Sequence, residues 1–230
     1  MTVLCTIATR GGSKGIPGKS LRQLNGQPLI SYTIEQARNL NIFDKAMLST
    51  DSPEIAQFGA TSGIDSWFIR PNHLATDSAP KVPVIRHALV ESEKYYGMRF
   101  DVVVDLDITS PLRSDEDVIG ALTKFSERGY KVLFAVCEAR KNPYFNMVEL
   151  DGGEVRLVKG SGSVVTCRQG APEVFEIHAS IYVWERDTLL TQDSLFTKGT
   201  GIYVVPQERS MDIDSPLEWT LVEHLLQKDH

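Results

Sequence analysis

An apolar run, Val3-Leu4-Cys5-Thr6-Ile7-Ala8, is followed at once by Thr9-Arg10-Gly11-Gly12-Ser13-Lys14-Gly15-Ile16-Pro17-Gly18-Lys19. The first segment is short, apolar and β-branched, the pattern of a buried strand. The loop after it holds four glycines, one arginine and two lysines between residues 10 and 19. Glycine lets backbone come close to a ligand, and exposed N–H groups in such a loop form a concavity for anions. Cationic side chains add charge-assisted hydrogen bonds to phosphate. A basic, glycine-rich loop after the first strand of an α/β fold suggests a nucleoside triphosphate site. Gly18-Lys19-Ser20 ends like a P-loop, but Ser13 stands where GxxxxGK[ST] needs its first glycine, and GxGxxG is absent. The competing reading is a basic surface turn.

The rest of the chain extends the alternation. Apolar spacing predicts helices over about 29–40, 53–62, 82–96, 114–128 and 216–227. Strands are expected at 45–50, 101–106, 132–136, 179–184 and 202–205. Ser114 suits an N-cap, with Asp115, Glu116 and Asp117 in the first turn. To about residue 137 this order argues for a mainly parallel sheet with helices on both faces. Residues 138–170 differ: Asn-Pro, Asp-Gly-Gly and Gly-Ser-Gly turns separate short polar-alternating runs, which read as a small antiparallel insertion within one domain, 1–230.

Composition narrows the function classes. A net charge of −6 over 230 residues speaks against a general nucleic-acid binder, which needs a basic face. No apolar run reaches membrane-spanning length and no leader pattern opens the chain, so a soluble cytoplasmic protein with no membrane partner is expected. Cys5, Cys137 and Cys167 lack metal-ligand spacing and read as free thiols, the first two in the core. His73, His87, His178, His224 and His230 form no ligand or triad pattern and read as structural or solvated, although His178 lies near the expected pocket.

Two Asp-x-Asp segments carry further chemistry. Asp212-Ile213-Asp214 puts two carboxylates on the same side of an extended backbone. Magnesium takes hard oxygen ligands, commonly one or two carboxylates plus phosphate oxygens. The alternative is a cap for the helix opening at Ser215-Pro216. Asp105-Leu106-Asp107 ends an apolar strand, where α/β enzymes place active sites. For Asp105 a structural role and a functional one stay open. Lys14 reads equally as a phosphate ligand or a solvated loop lysine.

These motifs together resemble a known family. Arg10-Gly-Gly-Ser-Lys-Gly-Ile-Pro-Gly-Lys19, Ser49-Thr50-Asp51, Arg70-Pro71 with Leu74-Ala75-x-Asp77, Thr109-Ser110-Pro111-Leu112-Arg113 and Asp212-Ile213-Asp214 follow the order and spacing of the acylneuraminate cytidylyltransferases, the CMP-sialic acid synthetases. The resemblance covers nearly the whole chain. Asp105-Leu106-Asp107, Asn142-Pro143-Tyr144-Phe145-Asn146 and Thr200-Gly201 look most like the branch that activates legionaminic acid.

The resemblance implies a Rossmann-like nucleotidyltransferase α/β/α sandwich that joins CTP to a nonulosonic acid. It implies catalytic roles for Lys19 and Arg10, and nucleotide binding by Arg10, Gly11, Gly12, Ser13, Lys14, Lys19, Ser20, Arg70 and Lys81. The sugar half would comprise Asp107, Thr109, Ser110, Lys141, Arg168, Gln169 and Tyr182. Asp212 and Asp214 would hold magnesium, with manganese as an alternative. The 138–170 arm, with Phe145 and the segment after Thr191, would pair two copies into a homodimer. Three positions depart from the family's usual pattern: Asp107 replaces a glutamine, Lys81 a serine and Ser20 an asparagine. Two rival functions are a metal-dependent glycosyltransferase, for which the basic loop would be unneeded, and a non-catalytic nucleotide-binding module. Pyrophosphate release from CTP separates both from the leading reading.

Overall fold

The structure is a computed structural model, and it describes residues 1–160 and 167–228, the Arg168 and Lys228 side chains excepted. Residues 161–166 of the expected insertion, and His230, lie outside the described residues.

The chain opens with β1 (Val3–Ala8). After the glycine-rich loop come a small hairpin, β2 (Gln23–Leu24) and β3 (Gln27–Pro28), helix α1 (Leu29–Asn39), β4 (Lys45–Ser49) and α2 (Pro53–Thr61). Next are α3 (Lys81–Tyr96), β5 (Val102–Leu106), α4 (Asp115–Arg128) and β6 (Val132–Glu138). A second hairpin, β7 (Val148–Asp151) and β8 (Glu154–Leu157), precedes β9 (Phe175–Glu185), α5 (Arg186–Thr191), β10 (Thr200–Val204) and α6 (Pro216–Lys228).

Six strands form one sheet in the order β10-β6-β9-β5-β1-β4. β1 runs parallel to β4 and β5, and β10 parallel to β6. β9 lies antiparallel between β5 and β6. Strand side chains alternate between faces. Val3, Cys5, Ile7, Val102, Val104 and Leu106 meet α1, α4 and α6 on one face. Leu4, Val103, Phe134 and Trp184 meet α3 and α5 on the other. This three-layer arrangement is the expected sandwich, and burial on both faces accounts for the unbroken apolar run Val102-Val103-Val104. Among the described residues no helix is long and apolar enough to cross a membrane.

The expected helices appear within a residue or two of their predicted ends, and Ser114 caps α4. Its hydroxyl accepts from Asp117 N while the Asp117 carboxylate accepts from Ser114 N, a complete capping box. Cys5 and Cys137 are buried and Cys167 exposed, all three as free thiols. The sequence reading omitted the short β2–β3 hairpin and α5. It also began β9 at Ala179, whereas the strand begins at Phe175. The missed residues are mostly exposed or half-buried, so they carry little of the apolar signal that marks a core strand.

Candidate active site

The parallel strands β1, β4 and β5 end at the same edge of the sheet, and the loops leaving those ends converge there. This is where open α/β sheets bind ligands. A cleft of about 280 Å³ is lined by Thr9, Arg10, Ser13, Lys19 and Ser20 from the first loop, Arg70 and the 74–79 turn, Lys81 and Val84 of α3, and Asp107, Ile108 and Thr109 beyond β5.

Backbone geometry fixes the first loop. Gly18 has φ +64°, a left-handed conformation that favours glycine, and it opens a short 3₁₀ turn, Lys19–Leu21. Gly15 packs so closely on the Asp214 carbonyl that a Cβ there would overlap it. The basic loop and the acidic 212–214 segment are therefore pressed together by a contact that tolerates no side chain. Lys19 completes the join. It is 14% exposed, and its Nζ donates to Ile213 O at 2.9 Å and to Asp214 Oδ1 at 3.1 Å. The Ser20 hydroxyl is buried against Thr9 Oγ1 at 2.8 Å. Gly11 N donates to Asp51 Oδ1 at 2.9 Å. Arg10 and Lys14 both pair with Asp77, the latter at 2.5 Å.

Arg70 is buried and spans two strand ends, donating to Thr9 O at 2.8 Å and Ser49 O at 3.3 Å. Its Nε has no hydrogen-bond partner among the described residues. Burial pulls the Arg70 pKa down, with Asp51 opposing it. The geometry makes Arg70 a brace for the cleft floor as well as part of its lining.

Lys81 and Asp107 belong to one charge cluster. Lys81, the first residue of α3, places its Nζ 2.6 Å from Asp107 Oδ2, 3.2 Å from Asp105 Oδ2 and 4.6 Å above the Tyr182 ring. Burial works to lower the Lys81 pKa, but Asp107 and Asp105 outweigh it and hold the ammonium above its ordinary value. Asp107 is raised by burial yet pulled below the usual range by Lys81 and by Thr109, whose N and Oγ1 both donate to its Oδ1 at 3.1 Å. Asp105 is fully buried and its pKa is raised, with Lys81 offsetting part of the burial cost. Its Oδ1 accepts from Thr6 at 2.7 Å, and its Oδ2 faces the Lys81 ammonium at 3.2 Å.

Asp212 and Asp214 flank buried Ile213 and line a second, adjoining cleft of about 570 Å³. Asp212 Oδ1 accepts from the fully buried Ser110 hydroxyl, and its Oδ2 accepts from Ala179 N at 3.1 Å. Asp214 is largely exposed apart from Lys19. Among the described residues no group of three or more His, Cys, Asp or Glu side chains is gathered to hold a metal ion. The helix-cap alternative keeps support at Ser215: Glu218, in the first turn of α6, accepts from Asp214 N at 2.9 Å and reaches back to Ser215 N at 2.7 Å, as the third helical residue of a capping box does.

The remaining expected sugar residues are dispersed. Lys141 and Gln169 are exposed and line neither cleft, and the Arg168 side chain lies outside the described residues. Tyr182 sits under Lys81. Sequence reasoning missed one side chain at the site and gave another no role there. Arg113 is buried where the β5 loop meets α1 and β9, donating to Asp107 O at 2.9 Å, Ser180 O at 2.8 Å and Gln36 Oε1 at 2.6 Å. Burial lowers its pKa to about 10 against the pull of nearby carboxylates. His178 lines the second cleft and is buried, which fits its expected place near the pocket and leaves the structural alternative, not the solvated one. Burial lowers its pKa, opposed in part by Asp212. Spacing carries no signal for either residue, because their roles arise from β9 and β5 meeting.

Comparisons with known proteins fit this geometry. The family profile described as Cytidylyltransferase matches residues 4–217. A CMP-N,N'-diacetyllegionaminic acid synthase of Campylobacter jejuni is 42% identical over 224 residues, 97% of this chain and 94% of that protein. The post-translational flagellin modification protein B of Campylobacter coli is 42% identical over 226 residues, 98% of this chain and 95% of that protein. Among solved structures, a CMP:2-keto-3-deoxy-manno-octonic acid synthetase complexed with CTP superposes with a TM-score of 0.74 at 16% identity, covering both chains fully.

Proposed function

The chain belongs to the cytidylyltransferase family, and from that premise we propose that it transfers CMP from CTP to a nonulosonic acid, N,N'-diacetyllegionaminic acid being the favoured substrate. The observation that carries the reading is the Lys19 ammonium, held by the 213–214 backbone and carboxylate at the mouth of the basic loop. A fixed cation at that point stabilises charge without reorganising during reaction.

In the proposed reaction the anomeric hydroxyl oxygen bonds to the α-phosphorus of CTP and releases its proton, while the bond from that phosphorus to pyrophosphate breaks. Arg10 and Lys19 neutralise charge developing on the phosphates, and exchange of Arg10 from Asp77 to phosphate accompanies nucleotide entry. Ser13, Lys14, Gly11 and Gly12 shape the phosphate end; Ser20, Arg70 and Lys81 shape the base end. The substitution is a direct displacement: the Ser110 hydroxyl is fully buried and engaged by Asp212, so it is not poised as a nucleophile.

Asp212 and Asp214 would hold magnesium. Their oxygen-only donor set suits a hard cation that completes its shell with phosphate and water, and Asp214 keeps an oxygen available. When bound, the ion supplies charge neutralisation to the phosphates. Manganese fits the same donors.

We also propose that the β7–β8 hairpin pairs two copies. A lone two-stranded hairpin is marginal in water, yet Val148, Leu150 and Val155 on it are exposed, Leu150 by 77%, and Phe196 beyond Thr191 is 70% exposed. Free thiols in all three cysteines suit the reducing cytoplasm, where we place the reaction.

The test is pyrophosphate release across four nucleoside triphosphates with neuraminic, legionaminic and pseudaminic acids. Turnover with CTP and a higher kcat/KM for N,N'-diacetyllegionaminic acid than for N-acetylneuraminic acid is expected. The Asp107 carboxylate accepts but does not donate hydrogen bonds, so Asp107→Gln is expected to narrow that gap. Full turnover in chelator would remove the metal from the proposal.

A further inference from the structure

His178 is 4% exposed, and neither of its ring nitrogens has a hydrogen-bond partner among the described residues. Two unmet nitrogens in one buried ring are costly to a fold. Such a group calls for a specific partner. The ring lines the second cleft beside Glu176, Asp212 and Asp214.

The fold puts it there by an irregularity in β9. Between two paired positions the register advances five residues on β9, Ile177 to Tyr182, while β6 advances two, Val136 to Phe134. The surplus chain, residues 178–180, bulges from the ladder at the edge where the parallel strands end. Bulges of this kind re-aim side chains next to active sites. The two residues after His178 are committed to the site on both sides. Ala179 N holds Asp212 Oδ2 at 3.1 Å, and Ser180 O accepts from Asp107 N at 3.2 Å and from Arg113 at 2.8 Å. The bulge thus ties the Asp212 carboxylate, proposed for metal, to the backbone of Asp107, and leaves His178 beside Asp212 with its own hydrogen bonds unmade.

We propose that His178 is a specificity-determining residue for the acceptor sugar, reading an amide-bearing substituent that enters the second cleft. This rests on the CMP-transfer reading above and deepens its sugar side. A neutral imidazole offers one N–H donor and one acceptor nitrogen. An N-acyl group offers the complement, one carbonyl and one N–H. The Glu176 carboxylate on the same wall, which is outside the proposed metal pair, repels a second carboxylate, so the amide end of the sugar enters here and the acid end stays on the side of the cationic cleft. An acceptor with a hydroxyl in place of the amide lacks the acyl carbonyl that reaches two bonds further from the sugar into the cleft, so the buried ring is left with a nitrogen unmet, which is how a polar site discriminates.

The experiment compares native enzyme with His178→Ala, His178→Asn and His178→Gln. Pyrophosphate release is followed with N,N'-diacetyllegionaminic and N-acetylneuraminic acids at saturating CTP, and CTP binding is measured by calorimetry without sugar. Loss of the imidazole is expected to raise KM for the diacetylated sugar roughly tenfold or more, to shrink its advantage over N-acetylneuraminic acid, and to leave the CTP dissociation constant within about twofold. One of the two amide variants, which keep a donor and an acceptor, is expected to recover part of the sugar KM. Should His178→Ala fail to fold, the same KM and discrimination shifts, in smaller measure, are read from the amide variants. Unchanged sugar KM and unchanged discrimination in every folded variant overturn the proposal. So does equal weakening of CTP and sugar. No pyrophosphate release by the native enzyme with any of these sugars is a separate result, and it removes the CMP-transfer reading itself.

Discussion

The two clefts of this molecule are built in opposite ways. The first is assembled from contiguous stretches that leave parallel strand ends, so Arg10, Ser13, Lys19 and Ser20 arrive together because the chain delivers them together. The second draws on Cys137, Glu176 to His178, the 210–214 segment and the first turns of α6. It exists because β9 runs against its neighbours and bulges. A contiguous phosphate loop recognises a ligand part common to all nucleotides. A cleft gathered from distant segments can vary one wall at a time, which suits the part of the reaction where substrates differ. Under the proposed function the sharper chemistry is expected in the first cleft and the finer discrimination in the second.

The largest effect tests the first half of that contrast. Lys19→Ala and Arg10→Ala are each expected to lower turnover about a hundredfold or more, the usual cost of removing a preorganised donor at a developing anion. Thermal stability should change little, because Arg10 is a partly exposed loop residue and Lys19 is tied to a largely exposed carboxylate. Near-native turnover in both variants would break the assignment of the first cleft to chemistry.

Next comes the seam between the clefts. Gly15→Ala forces a methyl group onto the Asp214 carbonyl, and backbone cannot move aside as a flexible side chain can. The loop and the 212–214 segment must separate, taking Lys19 out of register with Asp214. Turnover is expected to fall tenfold or more, roughly, since a misplacement of about 1 Å costs as much as a hundredfold in rate. Unaltered kcat with a raised KM for CTP would show that the seam positions nucleotide without positioning the reacting groups.

The same contrast explains what the sequence revealed. The first strand, its basic loop, the helix spacing and the cap at Ser114 were legible because each is a local pattern with a local cause. Lys81 and Asp107 were each visible as site residues, but one had been assigned to nucleotide and the other to sugar. Their 2.6 Å ion pair is a product of α3 starting where β5 ends, and no linear spacing encodes it. Arg113 lay inside a motif yet drew no attention, since its partners are carbonyls on β9 and the β5 loop. His178 was legible as a neighbour of the pocket but not in its role, because that role is argued from the partners it lacks among the described residues.

A smaller effect concerns the exposed hairpin. Leu150→Asp and Val155→Asp place charge on strands whose residues are all exposed. Far-UV dichroism and melting of the sheet domain are expected to stay near native, while sedimentation at micromolar concentration shifts from dimer to monomer. A native protein that sediments as a monomer would break the pairing proposal at once.

The smallest effect is expected where the two clefts share a foundation. The α4 capping box begins one residue after Arg113, whose bonds hold the Asp107 and Ser180 carbonyls together. Ser114→Ala removes the cap and costs about 1 kcal/mol, a shift in Tm of roughly 2–4 °C for a domain of this size. Both KM values should stay within about twofold, because Arg113 and not the cap holds the loop; a rise in either would show that the clefts depend on the helix start. Acid provides a second reading of the same box. Burial pushes the Asp117 pKa up, but Arg209, at 2.8 and 2.9 Å, and Ser114 N outweigh it and hold the carboxyl below its ordinary range. A depressed carboxylate pKa adds stability that is fully present above the unfolded value, about 4, and is lost as pH falls through the folded one. The destabilisation caused by Arg209→Met is therefore expected to be largest near neutrality and to shrink as the pH drops below about 4. A penalty that stays constant across that range would show that Arg209 acts through packing and not through the charge of Asp117.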